Sequence, residues 1–197
     1  MSKNIASSPS PAGGSVSTSS AIDLGGASLR LKGQNVALGG ALTAAGLSLD
    51  VSQPLVLNQN ITLSGDLTVR STGSVTQSAG ALGVKGVTTV DATQGDVKLT
   101  QAGNDFGTLT LKTQAAQVVD RGGFTLKSST VNSLDVQSDG LLTLAGATVT
   151  GDAKLVSGSL TQTAGPLSVG GQLKVTATGA DGMVLTQAGN QLGDATP

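Results

Sequence analysis

The chain has 197 residues, a formal net charge of −1 and charged side chains at only 12% of its positions. It contains no Cys, His, Trp or Tyr, and its only aromatic residues are Phe106 and Phe124. The absence of His and Cys excludes Ser-His-Asp or Cys-His catalysis and zinc sites with nitrogen or sulfur ligands. The basic residues lie far apart along the sequence, whereas nucleic-acid binding requires them in clusters. The composition therefore predicts no nucleic-acid partner, and it argues against an enzyme and against a cofactor.

The first segment, residues 1–20, is rich in Ser, Pro and Gly. This composition is typical of a flexible or extended leader or linker, and a polar cap over the first coil of the following region is the alternative. The segment lacks the apolar run of a signal peptide, so an exported protein would need a signal outside this chain. No stretch of the sequence approaches the roughly 18 apolar residues of a transmembrane helix.

The remaining residues, 21–197, are predicted to form one repeat region built from short strands. Apolar and polar side chains alternate in several segments, which is the pattern of half-buried β-strands. Turn signals rich in Gly and Asp separate the strands, for example Arg121-Gly122-Gly123 and Asp139-Gly140. The alternating segments, in chain order, are 27–32, 97–100, 108–112, 124–127 and 173–176.

Two periods are visible in the repeat region. The motif LTQAGN at 99–104 recurs 86 residues later at 185–190, and Gly-Asp at 65–66 recurs at 151–152. The shorter motif Thr-Gln occurs at 76–77 and again 24 residues later at 100–101. We infer a long repeat of about 86 residues that holds about four units of roughly 20 to 25 residues, the size of a solenoid coil.

These features together predict an all-β fold, a right-handed parallel β-helix of roughly eight to nine coils. A sandwich is disfavoured because it usually buries large side chains, and this sequence offers mostly small aliphatic ones. The second copy of the repeat stops four residues after Gly193, whereas the first copy continues into a strand. The chain is therefore predicted to be a fragment of a longer rod, or to have its last coil completed by a neighbouring chain.

Three segments carry a resemblance to a known family. LTQAGNDFG at 99–107, GDVKL at 95–99 and VGGQLKVTA at 169–177 resemble repeats of filamentous-haemagglutinin-like large exoproteins. The resemblance covers about residues 22–193 and implies a right-handed β-helical rod that is extracellular or bound to the bacterial cell surface, in association with the outer membrane. It also implies roles in cell adhesion, biofilm formation, virulence or contact-dependent toxin delivery, and its motifs carry no catalytic or ligand-binding residue.

Several functions remain open at this point. The first is a stalk within an adhesin, and the second is a specific binding module for a host surface glycan or protein, or for a sister rod. A fibre in which sister chains assemble end to end is a further alternative. The two copies of the repeat differ most at 114–121, so Asp120 and Arg121 are the predicted ligand contacts. Alanine at both positions is expected to leave folding intact.

Other candidate chemistry has a simpler interpretation. The carboxylate pairs Asp91 with Asp96 and Asp135 with Asp139 could serve glycoside hydrolysis, but all lie near Gly or Ser in predicted turns. Calcium binding through turn Asp residues is the alternative, although the sequence lacks the nonapeptide array of calcium-binding β-helices. No metal site is therefore predicted.

The repeated glutamines are predicted either to form amide ladders between coils or to face solvent as ligand contacts. They are Gln77, Gln101, Gln162 and Gln187. Both aromatic residues, Phe106 and Phe124, are predicted to fill the interior of the tube.

Overall fold

The computed structural model of the protein describes residues 14–196, and all of its regular secondary structure is β-strand. Most strands are short because turns interrupt the chain at intervals of a few residues. The strands are β1 (Ser15–Ser17), β2 (Ile22–Asp23), β3 (Ser28–Gly33), β4 (Asn35–Ala37), β5 (Leu42–Ala44), β6 (Gly46–Val51), β7 (Leu55–Leu57), β8 (Ile61–Leu63), β9 (Leu67–Ser71), β10 (Val75–Gln77), β11 (Leu82–Ala92), β12 (Val97–Leu99), β13 (Asp105–Asp120), β14 (Phe124–Ser138), β15 (Leu141–Val149), β16 (Ala153–Ser157), β17 (Ser159–Gln162), β18 (Leu167–Val169), β19 (Gln172–Ala177), β20 (Met183–Val184) and β21 (Asp194–Thr196).

The strands stack in parallel, each one above a strand of the preceding coil. A row of residues that lie opposite one another shows the coils directly, because each coil contributes one residue. This row is Leu29, Leu47, Leu67, Thr88, Leu109, Leu126, Leu144 and Gln162. The eight residues of this row mark a β-solenoid of about eight coils. Adjacent strands of a sheet lie about 4.8 Å apart, which is the distance between successive coils. The prediction of an all-β parallel β-helix is confirmed.

The core is a narrow column of aliphatic side chains inside the coils. Alternation along each strand turns one side chain inward and the next outward, so β8 buries Ile61 and Leu63 and exposes Thr62. Phe106 and Phe124 are both buried, and their rings meet edge to face with centroids 6.3 Å apart. Full burial of one Leu or Phe stabilises a fold by about 1.5–3 kcal/mol, and this gain is repeated in every coil.

Three faces surround the core in the N-terminal coils. Face 1 consists of β2, β5, β8, the start of β11 and the first two residues of β13. Face 2 consists of β3, β6, β9, the end of β11 and residues 108–113 of β13. Face 3 consists of β7, β10, β12, the ends of β13 and β14, and then β16, β19 and β21.

The cross-section changes after β13. Thr88 lies opposite Leu109, a step of 21 residues, whereas Leu109 lies opposite Leu126, a step of only 17 residues. Face 1 has no further strand among the described residues, and face 2 divides into two parts at a new corner. Ser128 with φ 47° and Gly146 with φ 90° form this corner in successive coils. Along this row the step is shortest where face 1 ends.

The predicted leader falls mostly outside the described residues, which begin at residue 14. Within the described part, β1 pairs in parallel with β4, so that Ser15 lies opposite Asn35. Residues 15–17 therefore stack on the following coil, and the boundary between leader and repeat region near residue 20 stays a prediction.

Candidate functional site

The segment in which the two sequence copies differ lies where face 1 ends. Asp105 and Phe106 form the last strand of this face, and the following coil has no strand there to pair with them. A sheet edge left in this way exposes backbone groups that need hydrogen-bond partners. Residues 120–122, which we call the edge cap, supply these partners.

Three hydrogen bonds form the edge cap. The N–H of Phe106 donates to Oδ2 of Asp120 at 2.8 Å, and the N–H of Gly122 donates to Oδ1 of the same carboxylate at 2.9 Å. The N–H of Arg121 donates to the carbonyl oxygen of Asn104 at 2.9 Å. The Asp120 side chain thus takes the place of the carbonyl group that a further strand would have offered to Phe106.

Asp120 is fully buried, with no accessible surface. Burial disfavours the charged form and raises the pKa of the Asp120 carboxyl above its ordinary value, while the hydrogen bonds from Phe106 and Gly122 oppose this shift. The nearby charge of Asp105 raises the pKa of Asp120 further, and that of Arg121 lowers it. An external ligand cannot reach this carboxylate, so the structure favours a structural role over the predicted ligand contact. Its alanine variant is accordingly no longer expected to fold with unchanged stability.

Arg121 has the opposite environment, because its side chain points into solvent. Its Nη2 lies 2.7 Å from Oδ2 of Asp105, and the two side chains are 60% and 51% exposed. The pair borders an open groove that also contains Asn60, Thr62 and Lys85. These groups offer amine, guanidinium, hydroxyl, amide and carboxylate contacts to a polar ligand. Arg121 therefore remains a predicted ligand contact.

The floor of this groove contains Gly83, which the fold does not require to be glycine. A Cβ atom added at Gly83 would meet no atom closer than the carbonyl oxygen of Ile61, at 4.0 Å. By contrast, a Cβ at Gly107 would lie 2.6 Å from the carbonyl oxygen of Lys85. Gly107 is thus fixed by close packing, whereas Gly83 has room for a side chain, and without one the groove is open at this position.

A second groove runs along face 3 across several coils and has mixed charge. Its outward side chains include Lys98, Asp135, Lys154 and Lys174, with an ion pair of 3.5 Å between Lys154 and Asp135. In the described part of the chain, no three His, Cys, Asp or Glu residues group together as metal ligands would. The carboxylate of Asp96, from the predicted acidic pairs, accepts the N–H of Ala115 at 3.2 Å.

Buried amide pairs form the most regular polar feature of the interior. Nε2 of Gln77 donates to Oδ1 of Asn104 at 2.8 Å, and Nδ2 of Asn104 donates back to Oε1 of Gln77 at 2.9 Å. Oδ1 of Asn104 also accepts the N–H of Leu82, and Nε2 of Gln77 also donates to the carbonyl oxygen of Gly80. We call this arrangement the amide clamp, since it fixes the corner between faces 3 and 1.

The second copy of the repeat contains the same clamp. Gln162 and Asn190 exchange two hydrogen bonds of 2.8 Å, Asn190 accepts the N–H of Leu167, and Gln162 donates to the carbonyl oxygen of Gly165. Amide groups of neighbouring coils are therefore paired, as one of the two predictions for the glutamines expected. Each buried Gln is paired with an Asn, and not with another of the repeated glutamines. The asparagine was the part that sequence reasoning missed, although LTQAGN repeats at the same 86-residue offset.

Gln101 and Gln187, the other two repeated glutamines, support the clamps from outside. Each donates its backbone N–H to the side-chain oxygen of the buried Gln, at 3.4 Å for Gln101 and 3.2 Å for Gln187. Their own side chains are partly exposed. The four glutamines thus divide into two buried clamp residues and two at the surface.

The long sequence repeat does not span a whole number of coils. Thr76 lies opposite Lys98, and the same row continues through Gln117 and Asp135 to Lys154, four coils later. The sequence equivalent of Thr76 is Thr161, which lies on the divided continuation of face 2, opposite Thr143. One long repeat therefore spans four coils plus one face, and its two clamps lie at different corners of the tube.

The described residues contain no helix that is long and apolar enough to span a membrane. No curated protein and no solved structure matches the chain. A family model described as "Repeats of unknown function (DUF5649)" matches residues 39–112 and 132–196, and the unmatched interval contains the edge cap. Because the two matched segments cover more than half of the sequence, the chain belongs to the DUF5649 repeat family.

Proposed function

We propose that this chain is a structural stalk segment of a filamentous adhesin that bacteria secrete or display at the cell surface, in association with the outer membrane. The main support is the unbroken row of inward-facing residues through eight coils, together with the parallel ladders that join them. Such a stack is stabilised between each coil and its neighbours, and it can be extended by adding coils. Its length is about 40 Å at the spacing of β-strands.

Two further features support the role of a stalk. The amide clamps satisfy buried polar groups at the corners, and buried hydrogen-bonded networks rigidify a core when every member has a partner. The edge cap protects the one face that ends within the stack. The role proposed here needs no catalysis and no cofactor. The resemblance of segments 95–107 and 169–177 to large exoprotein repeats supports the extracellular location and the link to adhesion or biofilm formation.

A binding module on the same rod is the second candidate function. The observation that favours it is the groove beside Arg121, which is open because Gly83 has no side chain, although packing would tolerate one. A host glycan or protein with hydrogen-bonding groups is the class of ligand that its polar lining fits.

Binding of the fluorescently labelled, folded chain to epithelial cells and to a glycan array distinguishes the two candidates. A stalk gives no saturable binding, whereas a binding module gives saturable binding that unlabelled chain competes away. Arg121→Ala and Gly83→Leu should then abolish binding, and Lys127→Ala, which removes an exposed positive charge outside the groove, is the matched control. Saturable binding that both groove variants retain would contradict the groove as the site.

A further inference from the structure

Face 2 carries a column of charged side chains that alternate in sign from coil to coil. Lys32 lies opposite Asp50, Asp50 opposite Arg70, Arg70 opposite Asp91, and Asp91 opposite Lys112. All five side chains point away from the core, because they alternate with buried residues such as Val69 and Val90. We call this column the charge ladder, and its rungs are spaced by one coil, about 4.8 Å.

Most of the charge ladder forms no close ion pair among residues 14–196. In residues 14–196, the ladder contains one ion pair, Lys32 with Asp50 at 3.2 Å. Arg70, Asp91 and Lys112 form no ion pair with any other residue of this range, although each lies directly above or below a residue of opposite charge. Their charged groups are therefore available to a surface that faces the sheet.

The outward surface beside the ladder carries mostly small polar groups. The neighbouring outward column on face 2 begins at Arg30 and continues with Ser48, Thr68, Thr89 and Thr110 in successive coils. Short hydroxyl side chains next to the ladder allow a second flat sheet to approach, and they also provide donors and acceptors for direct or water-mediated contacts.

We propose that the charge ladder is a lateral pairing surface for a second copy of this chain, with the two rods antiparallel. A partner can match alternating charges rung by rung only if its own charges alternate with the same spacing, and the ladder of a second copy does so. A twofold axis between two rungs places opposite charges against each other along the whole contact. For example, an axis between the rungs of Asp50 and Arg70 brings these two residues together and pairs Lys32 with Asp91.

The same geometry makes the register specific. An axis that passes through a rung brings Arg70 against Arg70 and Asp50 against Asp91, so every contact is repulsive. Like-charge contacts discriminate between arrangements more strongly than exposed ion pairs add affinity. The pairing is consequently weak, selective in register and sensitive to salt, and it does not depend on whether the rod serves as a stalk or as a binding module.

The test is sedimentation velocity of the folded chain over a range of concentrations at about 0.01 M and about 1 M salt, where the screening length falls from about 30 Å to about 3 Å. We expect dimers at low salt and an association constant at least about tenfold lower at high salt. A chain that stays monomeric at millimolar concentration and low salt would overturn the proposal.

Charge exchange makes the test specific for the ladder. One variant, Asp50→Lys with Asp91→Lys, makes the ladder entirely positive. The other, Lys32→Asp with Arg70→Asp and Lys112→Asp, makes it entirely negative. Each variant alone should be monomeric, and an equimolar mixture should form heterodimers.

A control variant, Asp139→Lys with Asp181→Lys, has the same change in net charge as the positive variant but leaves the ladder intact. It should still form dimers at low salt.

Far-ultraviolet circular dichroism establishes that each variant is folded, and Arg70→Asp alone replaces the triple variant if the latter does not fold. Self-association of the positive variant that equals that of the wild type, or a mixture that does not associate, would refute lateral pairing through this face.

Discussion

The N-terminal and C-terminal coils share one core but have different outlines and different surfaces. Up to β13 the coils have three faces, and face 2 carries the charge ladder. After Phe124 the described residues form no further strand of face 1, and face 2 is divided at Ser128. The ladder column continues from Lys112 into Thr130, Thr148 and Ser168. The buried row continues in parallel register through both regions, so the core sets the fold while the outline and the outward residues can change.

The junction between the two regions shows what such a change requires. A solenoid that loses a face exposes a new sheet edge inside the stack, and here the edge cap provides the missing partners.

The largest effect is expected from matched cavities in the two cores. Leu49 in the N-terminal region and Leu144 in the C-terminal region are both 1% exposed. Leu49→Ala and Leu144→Ala should each lower the free energy of unfolding by about 2–5 kcal/mol, because a cavity remains in place of the side chain. Urea denaturation measures this, and a single shared transition is expected in both variants. Two separate transitions would show that the regions unfold independently.

The second experiment removes the edge cap between the regions. Asp120→Ala leaves the N–H groups of Phe106 and Gly122 without their acceptor, at a cost of about 1–3 kcal/mol for a buried group. Relief of the buried charge offsets part of this loss. Hydrogen exchange should accelerate at the Phe106 amide, and the exposed residue Asp139 provides the control variant Asp139→Ala. Unchanged exchange at Phe106 would contradict the capping role.

The third experiment compares the two amide clamps. Gln77→Leu leaves a fully buried Asn104 without its main partner and should cost about 1–3 kcal/mol. Gln162→Leu should cost less, because Asn190 is only partly buried and water can replace the lost hydrogen bonds. Thermal unfolding of both variants measures the difference. Equal losses would show that burial of the asparagine does not set the strength of the clamp.

The fourth experiment uses pH to probe the edge cap. The pKa of Asp120 is raised in the folded state, so this group stabilises the fold fully below its unfolded pKa, and the contribution is lost as pH rises through the folded pKa. The stability of the wild type relative to Asp120→Asn should therefore decrease between acidic and neutral pH. Urea denaturation at a series of pH values measures this difference. A relative stability that rises with pH would indicate a lowered pKa instead.

The smallest effect is expected at the groove beside the cap. Gly83→Leu should change the free energy of unfolding by less than about 0.5 kcal/mol, because the added side chain enters open space at the surface. Gly107→Leu, in which the first added atom meets the backbone of Lys85, is the contrasting variant and should be clearly destabilised in the same thermal melt. A large loss in Gly83→Leu would show that the groove is not as open as the structure indicates.

The sequence was sufficient to predict the coils, because alternation of apolar residues and recurrence of short motifs are local signals. The roles of Asp120 and Gln77 depend on contacts between coils and were harder to predict. Asp120 precedes Arg121 and two glycines and therefore resembles a turn residue. Its burial follows only once face 1 is known to end at Phe106. The altered spacing at 114–121 was a true signal of this junction, but it marked a change in coil length.

Because the long repeat and the coil differ in length, equivalent outward side chains of the two repeat copies point in different directions from the rod. Whatever side chains a duplicated unit carries, its second copy displays them about a third of a turn around the axis from the first. Further duplications of such a unit would therefore arrange equivalent surface residues along a helical path around the axis of the rod.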